Sequence, residues 1–260
     1  MNEARRESDW LGFASELADE ADALTLPAFH SGKSVDLKAD GTVVTATDLT
    51  VERHLRARIE AAFPDHAIHG EEDGLQGDPG APRWLLDPID GTNNFVSGNP
   101  IWATLIALQI DGSPRVGVIS APALGHRWDG RIDGDEREAR CDGAPITVSS
   151  RRLDQGEVSF GGLQYFAQGE RWGLVQRLTD ATRRQRGYGD FWHHALVASG
   201  IIEVAIEAAV SPWDLAAVRC VVEAAGGRFT DLDGSSRIDT GHGVCTNGLV
   251  HEHVLSLVRG

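Results

Sequence analysis

The chain has 260 residues, 41% of them hydrophobic, and sets 24 Lys and Arg against 39 Asp and Glu for a net charge of −15. That is ample material for a buried core, and no run approaches the roughly eighteen apolar residues of a membrane-spanning helix, so a soluble cytoplasmic protein is expected. So acidic a chain argues against nucleic acid and anionic membrane surfaces as partners, because both would be repelled.

Taken in chain order, the first thirty residues do not read as a signal peptide. Trp10, Phe13, Leu17, Ala21 and Leu24 share one face of an amphipathic helix over about 9–29, interspersed with Glu16, Asp19, Glu20 and Asp22. A loop with the only two lysines, Lys33 and Lys38, leads through Gly41. A second helix is expected over about 49–63, with Arg53, Arg56 and Arg58 outward. The apolar pair Ala67-Ile68 then runs into Gly70-Glu71-Glu72-Asp73-Gly74, which is either a solvated turn or a strand end bearing ligands. Strand-like runs follow at 84–86, 102–110 and 116–120, and more weakly at 127–131. Gly112 and Gly134 mark hairpin turns, so the sheet in this half is mixed or antiparallel. After Ser149-Ser150-Arg151-Arg152 the pattern changes to strands alternating with helices at about 171–181, 190–199, 214–225 and 249–258. The division expected is an N-terminal α+β lobe, 1–148, and a C-terminal α/β lobe, 149–260.

The most informative stretch is Asp87-Pro88-Ile89-Asp90-Gly91-Thr92. It reads as a tight turn, either an ordinary one or one that holds a metal. Proline fixes φ near −65° and turns both carboxylates toward one space, with the Ile89 carbonyl beside them. Oxygen ligands of this kind suit Mg²⁺ or Mn²⁺. If residues 91–94 open a helix, their free N–H groups offer a seat for phosphate. Asp214 begins a helix in which Leu215, Val218, Val222 and Ala225 recur at helical spacing; an N-cap role accounts for it as well as a ligand role does. Glu71, Asp87, Asp90 and Asp214 packed together would raise one another's pKa unless a cation were present.

Other chemistries find no support. The chain lacks a Gly-x-x-x-x-Gly-Lys-Ser/Thr loop and any Ser/His/Asp or Cys/His nucleophile arrangement. Cys141, Cys220 and Cys245 are odd in number and lack metal spacing, which fits reduced thiols. Adjacent residues on a helix diverge, so His193-His194 is not expected to be a metal pair. His242, His251 and His253 are expected on the surface.

Gly70-Glu71-Glu72, the 87–92 stretch and Trp213-Asp214-Leu215-Ala216-Ala217 resemble, in order and separation, the signature segments of the inositol monophosphatase superfamily of Mg²⁺-dependent, lithium-sensitive phosphatases. The likeness covers nearly the whole chain, including Thr45-Ala46-Thr47-Asp48 and Ala224-Ala225-Gly226-Gly227. Segments 94–96, 100–108, 118–124 and 188–191 look most similar to the histidinol-phosphate phosphatases among its actinobacterial members. The resemblance implies a layered αβαβα sandwich of α+β or α/β class, with the metal site between two lobes, and a common tendency to form homodimers. It also implies that Glu71, Asp87, the Ile89 carbonyl, Asp90 and Asp214 hold two or three Mg²⁺ ions, Mn²⁺ being an alternative. Glu71, Thr92 and Asp48 would orient the attacking water, and Gly91 and Thr92 would bind phosphate.

Recognition in this pattern falls to residues 188–192 and to Glu207. Asp190 and Glu207 suit a cationic amine, and Phe191 either covers an imidazole or belongs to the core. Lys38 either neutralises the site or is a solvated loop lysine. The implied activity is hydrolysis of the phosphate monoester L-histidinol phosphate to L-histidinol and phosphate, a step of histidine biosynthesis. Inositol 1-phosphate and 3′(2′),5′-bisphosphate nucleotides are alternative substrates. Alternatives of another class are a non-catalytic metal- and phosphate-binding regulator and an interaction protein whose carboxylates are surface turns and caps.

Overall fold

In the computed structural model, helix α1 (Trp10–His30) buries Ala14, Leu17, Ala18, Ala21 and Thr25, a stripe at helical spacing, while Leu24 faces outward at 36% exposure. The described residues are 9–31, 35–37 and 43–260, and Lys33 and Lys38 lie outside them. Strands β1 (Val35–Leu37) and β2 (Val43–Thr45) pair antiparallel, and Thr45 opens helix α2 (Ala46–Ala62). A capping box fixes that start: the Thr45 hydroxyl accepts from the Thr47 N–H, and Asp48 reaches back to accept from the Thr45 N–H. Arg56 does not face outward as expected. It is buried because Glu52, one turn earlier and fully buried, accepts from its Nε at 2.8 Å, and a paired charge tolerates burial where a lone one does not.

Strands β3 (Ala67–Gly70), β4 (Gly74–Gln76) and β5 (Arg83–Asp90) are followed by the short helix α3 (Thr92–Ser97). Then come β6 (Ala103–Ile110), β7 (Ser113–Ala121), β8 (His126–Asp133), β9 (Glu136–Cys141) and β10 (Ala144–Pro145). These strands form one sheet in the order β10-β9-β8-β7-β6-β5-β3-β4, antiparallel except where β3 lies parallel to β5. The 87–90 segment, expected as a turn, is the buried end of β5, and the register against β6 slips between Asp87 and Asp90. Burial on both faces overrides the turn preference of Asp and Pro, and the bulge is where a strand tolerates proline.

The second half supplies β11 (Glu157–Phe160), α4 (Leu163–Gln168), α5 (Trp172–Ala181), β12 (Arg184–Arg186), α6 (Asp190–Ala198) and β13 (Val204–Glu207). It ends with α7 (Pro212–Ala224), β14 (Arg228–Thr230), β15 (Gly243–Thr246) and α8 (His251–Arg259). Its sheet runs β12-β11-β13-β15-β14, with β11 parallel to both neighbours.

Three apolar clusters define the layers. Leu17, Leu55, Ile59, Trp84 and Leu108 join α1 and α2 to one face of the large sheet. Leu105, Ile119, Phe191, Leu215 and Val221 fill the space in which α6 and α7 lie against its other face. Phe166, Leu178, Val204, Val244 and Val254 close the small sheet under α4, α5 and α8. The result is an αβαβα sandwich. Helix α7 rests on bare backbone: a Cβ on Gly117 of β7 would come 2.6 Å from the Ala217 carbonyl oxygen, and one on Gly130 of β8 would come 2.8 Å from Val221 Cα.

His242 and His251 are buried rather than on the surface. His251 sits 3.0 Å from each of the Thr230 and Thr246 hydroxyls, and His242 Nδ1 accepts from the Leu232 N–H, so hydrogen bonds replace the water each gives up. Among the described residues no helix is long and apolar enough to cross a membrane.

Candidate metal centre

Four separate elements deliver carboxylates to one place. Glu71 follows β3 and is tied by its N–H to the Leu86 carbonyl of β5 at 3.2 Å. Asp87 and Asp90 flank the β5 bulge, and Asp214 is the third residue of α7. One carboxylate oxygen from each of Asp87, Asp90 and Asp214 lies within 4.8 Å of the others. Asp48, the third residue of α2, joins them electrostatically.

Each carboxylate is held by its own donor. The Ile89 N–H donates to Asp87 Oδ1 at 3.0 Å, the Phe191 N–H to Asp90 Oδ2 at 2.5 Å and the Ser211 N–H to Asp214 Oδ2 at 2.8 Å. Asp48 Oδ2 accepts from both the N–H and the hydroxyl of Thr45, at 2.8 and 2.5 Å, while its Oδ1 is buried without a hydrogen-bond partner. The Thr92 hydroxyl donates to the Ile89 carbonyl at 3.0 Å and is not hydrogen-bonded to Asp48. At Gly91, φ is +81° and a Cβ would come 3.0 Å from the Ile101 carbonyl and 3.4 Å from Asp190 Oδ2, so glycine is what lets Asp190 close on this turn.

The field here is strongly negative. Asp87 is raised well above the usual carboxylate range, first by burial and then by Glu71, Asp90, Asp214 and Asp48. Asp90 is raised well above it too, by burial and then by Asp190 and Asp214, against the pull of the Phe191 N–H. Asp214 is pushed up to about 7 by burial, which the Ser211 N–H opposes and Glu71 and Glu207 reinforce. Side chains that supply only oxygen, carry mutually repelling charge and leave a buried carboxylate oxygen unpaired fit a divalent cation of the Mg²⁺ class.

Beside the acids opens a cleft of 170 Å³ lined by Asp90, Gly162, Tyr165, Asp190, His194 and Glu207, among others. Asp190, at the exposed rim with φ +48°, accepts from Asn94 Nδ2 at 3.1 Å. Desolvation of its cleft side, then Glu207, raises it to about 6. Burial raises Glu207 to about 8. The Phe191 ring is placed differently: it is buried in the core against Trp128 and Trp192, and only its N–H reaches the site. A groove of 810 Å³ with Trp10, Arg115, Asp129 and Arg140 in its lining contains none of the clustered acids, and two of its arginines pair with local acids, Arg140 with Glu138 at 3.0 Å and Arg131 with Asp133 at 3.2 Å.

Gly162, Tyr165 and Glu52 were not singled out from the sequence, and His194 was considered only as half of a metal pair that helical geometry disfavours. The paired glycines Gly161-Gly162 after an apolar strand signal a loop at a strand's C-terminal end, where α/β sheets gather ligands. Glu52 stands one helical turn after Asp48. Its Oε2 accepts from the Glu72 N–H at 2.8 Å and its Oε1 from the Asp73 N–H at 2.9 Å, so the turn that carries Glu71 is tied to α2. Glu52→Gln leaves one acceptor oxygen for these two N–H groups. It is expected to raise the Mg²⁺ concentration for half-maximal activity about tenfold while lowering kcat at saturating Mg²⁺ much less. An unchanged Mg²⁺ requirement, read from activity against free Mg²⁺, would mean the turn holds itself.

The chain as a whole is similar to known proteins. The pattern of the inositol monophosphatase family matches residues 6–260. A histidinol-phosphatase of Mycobacterium tuberculosis is 45% identical over 256 residues, covering 95% of this chain and 97% of that protein. One from Streptomyces coelicolor is 40% identical over 264 residues, covering 96% and 97%. Among solved structures, the IMPase of Thermotoga maritima superposes with a TM-score of 0.84 at 29% identity, covering 96% of this chain and 97% of its own.

Proposed function

The chain belongs to the inositol monophosphatase family of metal-dependent phosphoric monoester hydrolases, and from that membership we propose that it hydrolyses L-histidinol phosphate to L-histidinol and phosphate. The observation that carries the proposal is the meeting of two acidic groups in the lining of one cleft: Asp90 and Asp214 of the carboxylate cluster, with Asp190 and Glu207 beside them. The first group suits cations that meet a phosphate, and the second suits an organic cation. Histidinol phosphate carries both a phosphate and an amine.

Glu71, Asp87, the Ile89 carbonyl, Asp90 and Asp214 would hold two or three Mg²⁺ ions, or Mn²⁺. Bound there, the ions supply positive charge for the transferring phosphoryl group and lower the pKa of water. The chain's own groups do the rest. Gly91 and Thr92 present N–H groups to phosphate oxygens, charge in place before the transition state is reached. Glu71 and Thr92 orient the attacking water. Asp48 Oδ1, buried and unpaired, is the acceptor for its proton, since Oδ2 is committed to Thr45. Asp190 and Glu207 bind the substrate's amine as carboxylates, and that cation favours the ionised form that burial opposes. The same reading takes the enzyme to be a cytoplasmic homodimer with no nucleic-acid partner, supported by the family resemblance and by the net charge of −15.

Phosphate release in Mg²⁺ from histidinol phosphate, inositol 1-phosphate and adenosine 3′,5′-bisphosphate tests the proposal. The highest kcat/KM is expected for histidinol phosphate, and a better rate with either of the others overturns the assignment. Asp190→Ala is expected to cost roughly tenfold or more in kcat/KM for histidinol phosphate, the worth of a charge-assisted hydrogen bond, and far less for an aryl phosphate without an amine. Equal losses would remove Asp190 from the amine contact.

A further inference from the structure

Helix α6 sets two histidines side by side, His194 lining the cleft and His193 buried behind it, against the expectation that helical neighbours diverge. His193 and His194 are 0% and 2% exposed, and their rings meet edge to face with centroids 4.2 Å apart. One nitrogen of each lies within 4.8 Å of the other and of a Glu207 carboxylate oxygen. His193 Nε2 stands 3.0 Å from Glu207 Oε1 without the alignment of a hydrogen bond, and His194 Nδ1 is buried with no partner at all. Unpaired buried nitrogens are rare and destabilising, so one on each of two touching rings grouped with a carboxylate calls for a ligand.

The donor chemistry says which kind. Burial holds both rings neutral: His193 is lowered to about 3, and His194, next to it, is lowered well below the usual histidine range. A neutral imidazole offers one lone pair. His193 Nδ1 is 3.2 Å from the Ser159 hydroxyl, whose oxygen also accepts from the Tyr188 N–H at 3.1 Å. With the Nδ1 proton directed to Ser159, the lone pair of His193 is at Nε2, toward Glu207. Two imidazoles and a carboxylate suit Zn²⁺ and its neighbours in the first transition row, whereas Mg²⁺ prefers oxygen. The 3.0 Å between Nε2 and Oε1 is also close to the roughly 3.3 Å that separates two ligands about 2.0 Å from a tetrahedral ion.

We propose that His193, His194 and Glu207 form a second cation site at the wall of the cleft, selective for an ion of the Zn²⁺ class and distinct from the oxygen-only cluster, and that its occupant competes with substrate for Glu207. The binding stands without the phosphatase reading, and only the competition rests on it.

Co²⁺ serves as the probe, because a four-coordinate site containing nitrogen gives intense visible bands and a six-coordinate oxygen site gives weak ones. Protein saturated with Mg²⁺ and titrated with Co²⁺ should develop intense bands that saturate at one equivalent, are displaced by Zn²⁺ and resist further Mg²⁺. The bands should disappear in His194→Leu and in Glu207→Gln, with circular dichroism and Mg²⁺ binding as checks that each variant folds. Weak bands only, displacement by Mg²⁺, or full intensity retained in either folded variant overturns the site. With binding established, Zn²⁺ added under saturating Mg²⁺ should raise KM for histidinol phosphate and leave kcat in place. A fall in kcat at constant KM overturns the competition and leaves the site standing.

Discussion

Asp90→Asn is expected to lower kcat by about 10³-fold, the loss of several kcal/mol of cation-borne charge stabilisation, and yet to make the metal-free protein more stable than the wild type. The N–H of Phe191 donates to Asp90 Oδ2 at 2.5 Å, and the oxygen of an asparagine keeps that bond. What disappears is a negative charge that burial destabilises and that Asp190, Asp214 and Glu207 all repel. Without cations that charge is a liability, and with them it would be a ligand. Thermal unfolding in EDTA should therefore place the mutant above the wild type, and Mg²⁺ should stabilise the wild type far more than the mutant. Near wild-type turnover, or an unchanged Tm in EDTA, would take Asp90 out of the cluster.

Stability of the metal-free wild type is expected to fall as pH rises from about 5 to 8, opposite to the trend set by carboxylates held in salt bridges. In the folded chain Asp214 lies at about 7 against a model-peptide value of 3.8, and Glu207 at about 8 against 4.5, with burial the leading cause for both. Asp87 and Asp90 are raised as well. The folded state thus binds more protons than the unfolded state through this interval. The stabilisation is complete below the unfolded values and is lost as pH climbs through the folded ones. Several kcal/mol are at stake, on the order of 10 °C in Tm for a chain of this size. Divalent cations replace the missing protons, so the rise in Tm on adding Mg²⁺ should be larger at pH 8 than at pH 5. A flat profile in EDTA, or a larger Mg²⁺ effect at pH 5, would contradict the clustering of these acids.

The longer helices were legible because their apolar stripes are long, whereas the six-residue α4 was not expected. The second helix, expected over 49–63, forms at Ala46–Ala62, and the hairpins at Gly112 and Gly134 join β6 to β7 and β8 to β9. What the sequence could not convey was context. Asp, Pro and Gly at 87–91 carry the local signal of a turn, and only the burial of β5 between two layers makes them a bulged strand end. Arg56 lies on a helical face that composition alone reads as solvated, and its partner Glu52 takes it inside. His193 and His194 diverge at the backbone, yet side-chain torsions bring their rings together, and a periodicity argument does not include those torsions. The acids themselves were visible as short local runs. The convergence of Asp87, Asp90 and Asp214 was expected only from the family resemblance, since a 124-residue separation between Asp90 and Asp214 leaves no trace in either segment by itself.

Seating α7 on Gly117 and Gly130 has a further consequence. At those two points the strands present bare main chain to the backbone of Ala217 and Val221, so the middle of α7 is indexed to the large sheet by atomic contact, and the rigid helix carries that register back to its first turn. Asp214 comes from the C-terminal half of the chain, but its height above the other acids is set by two hydrogen atoms in the N-terminal half. Tolerance to substitution at those two glycines is thereby a property of the catalytic apparatus, although neither of them lines the cleft.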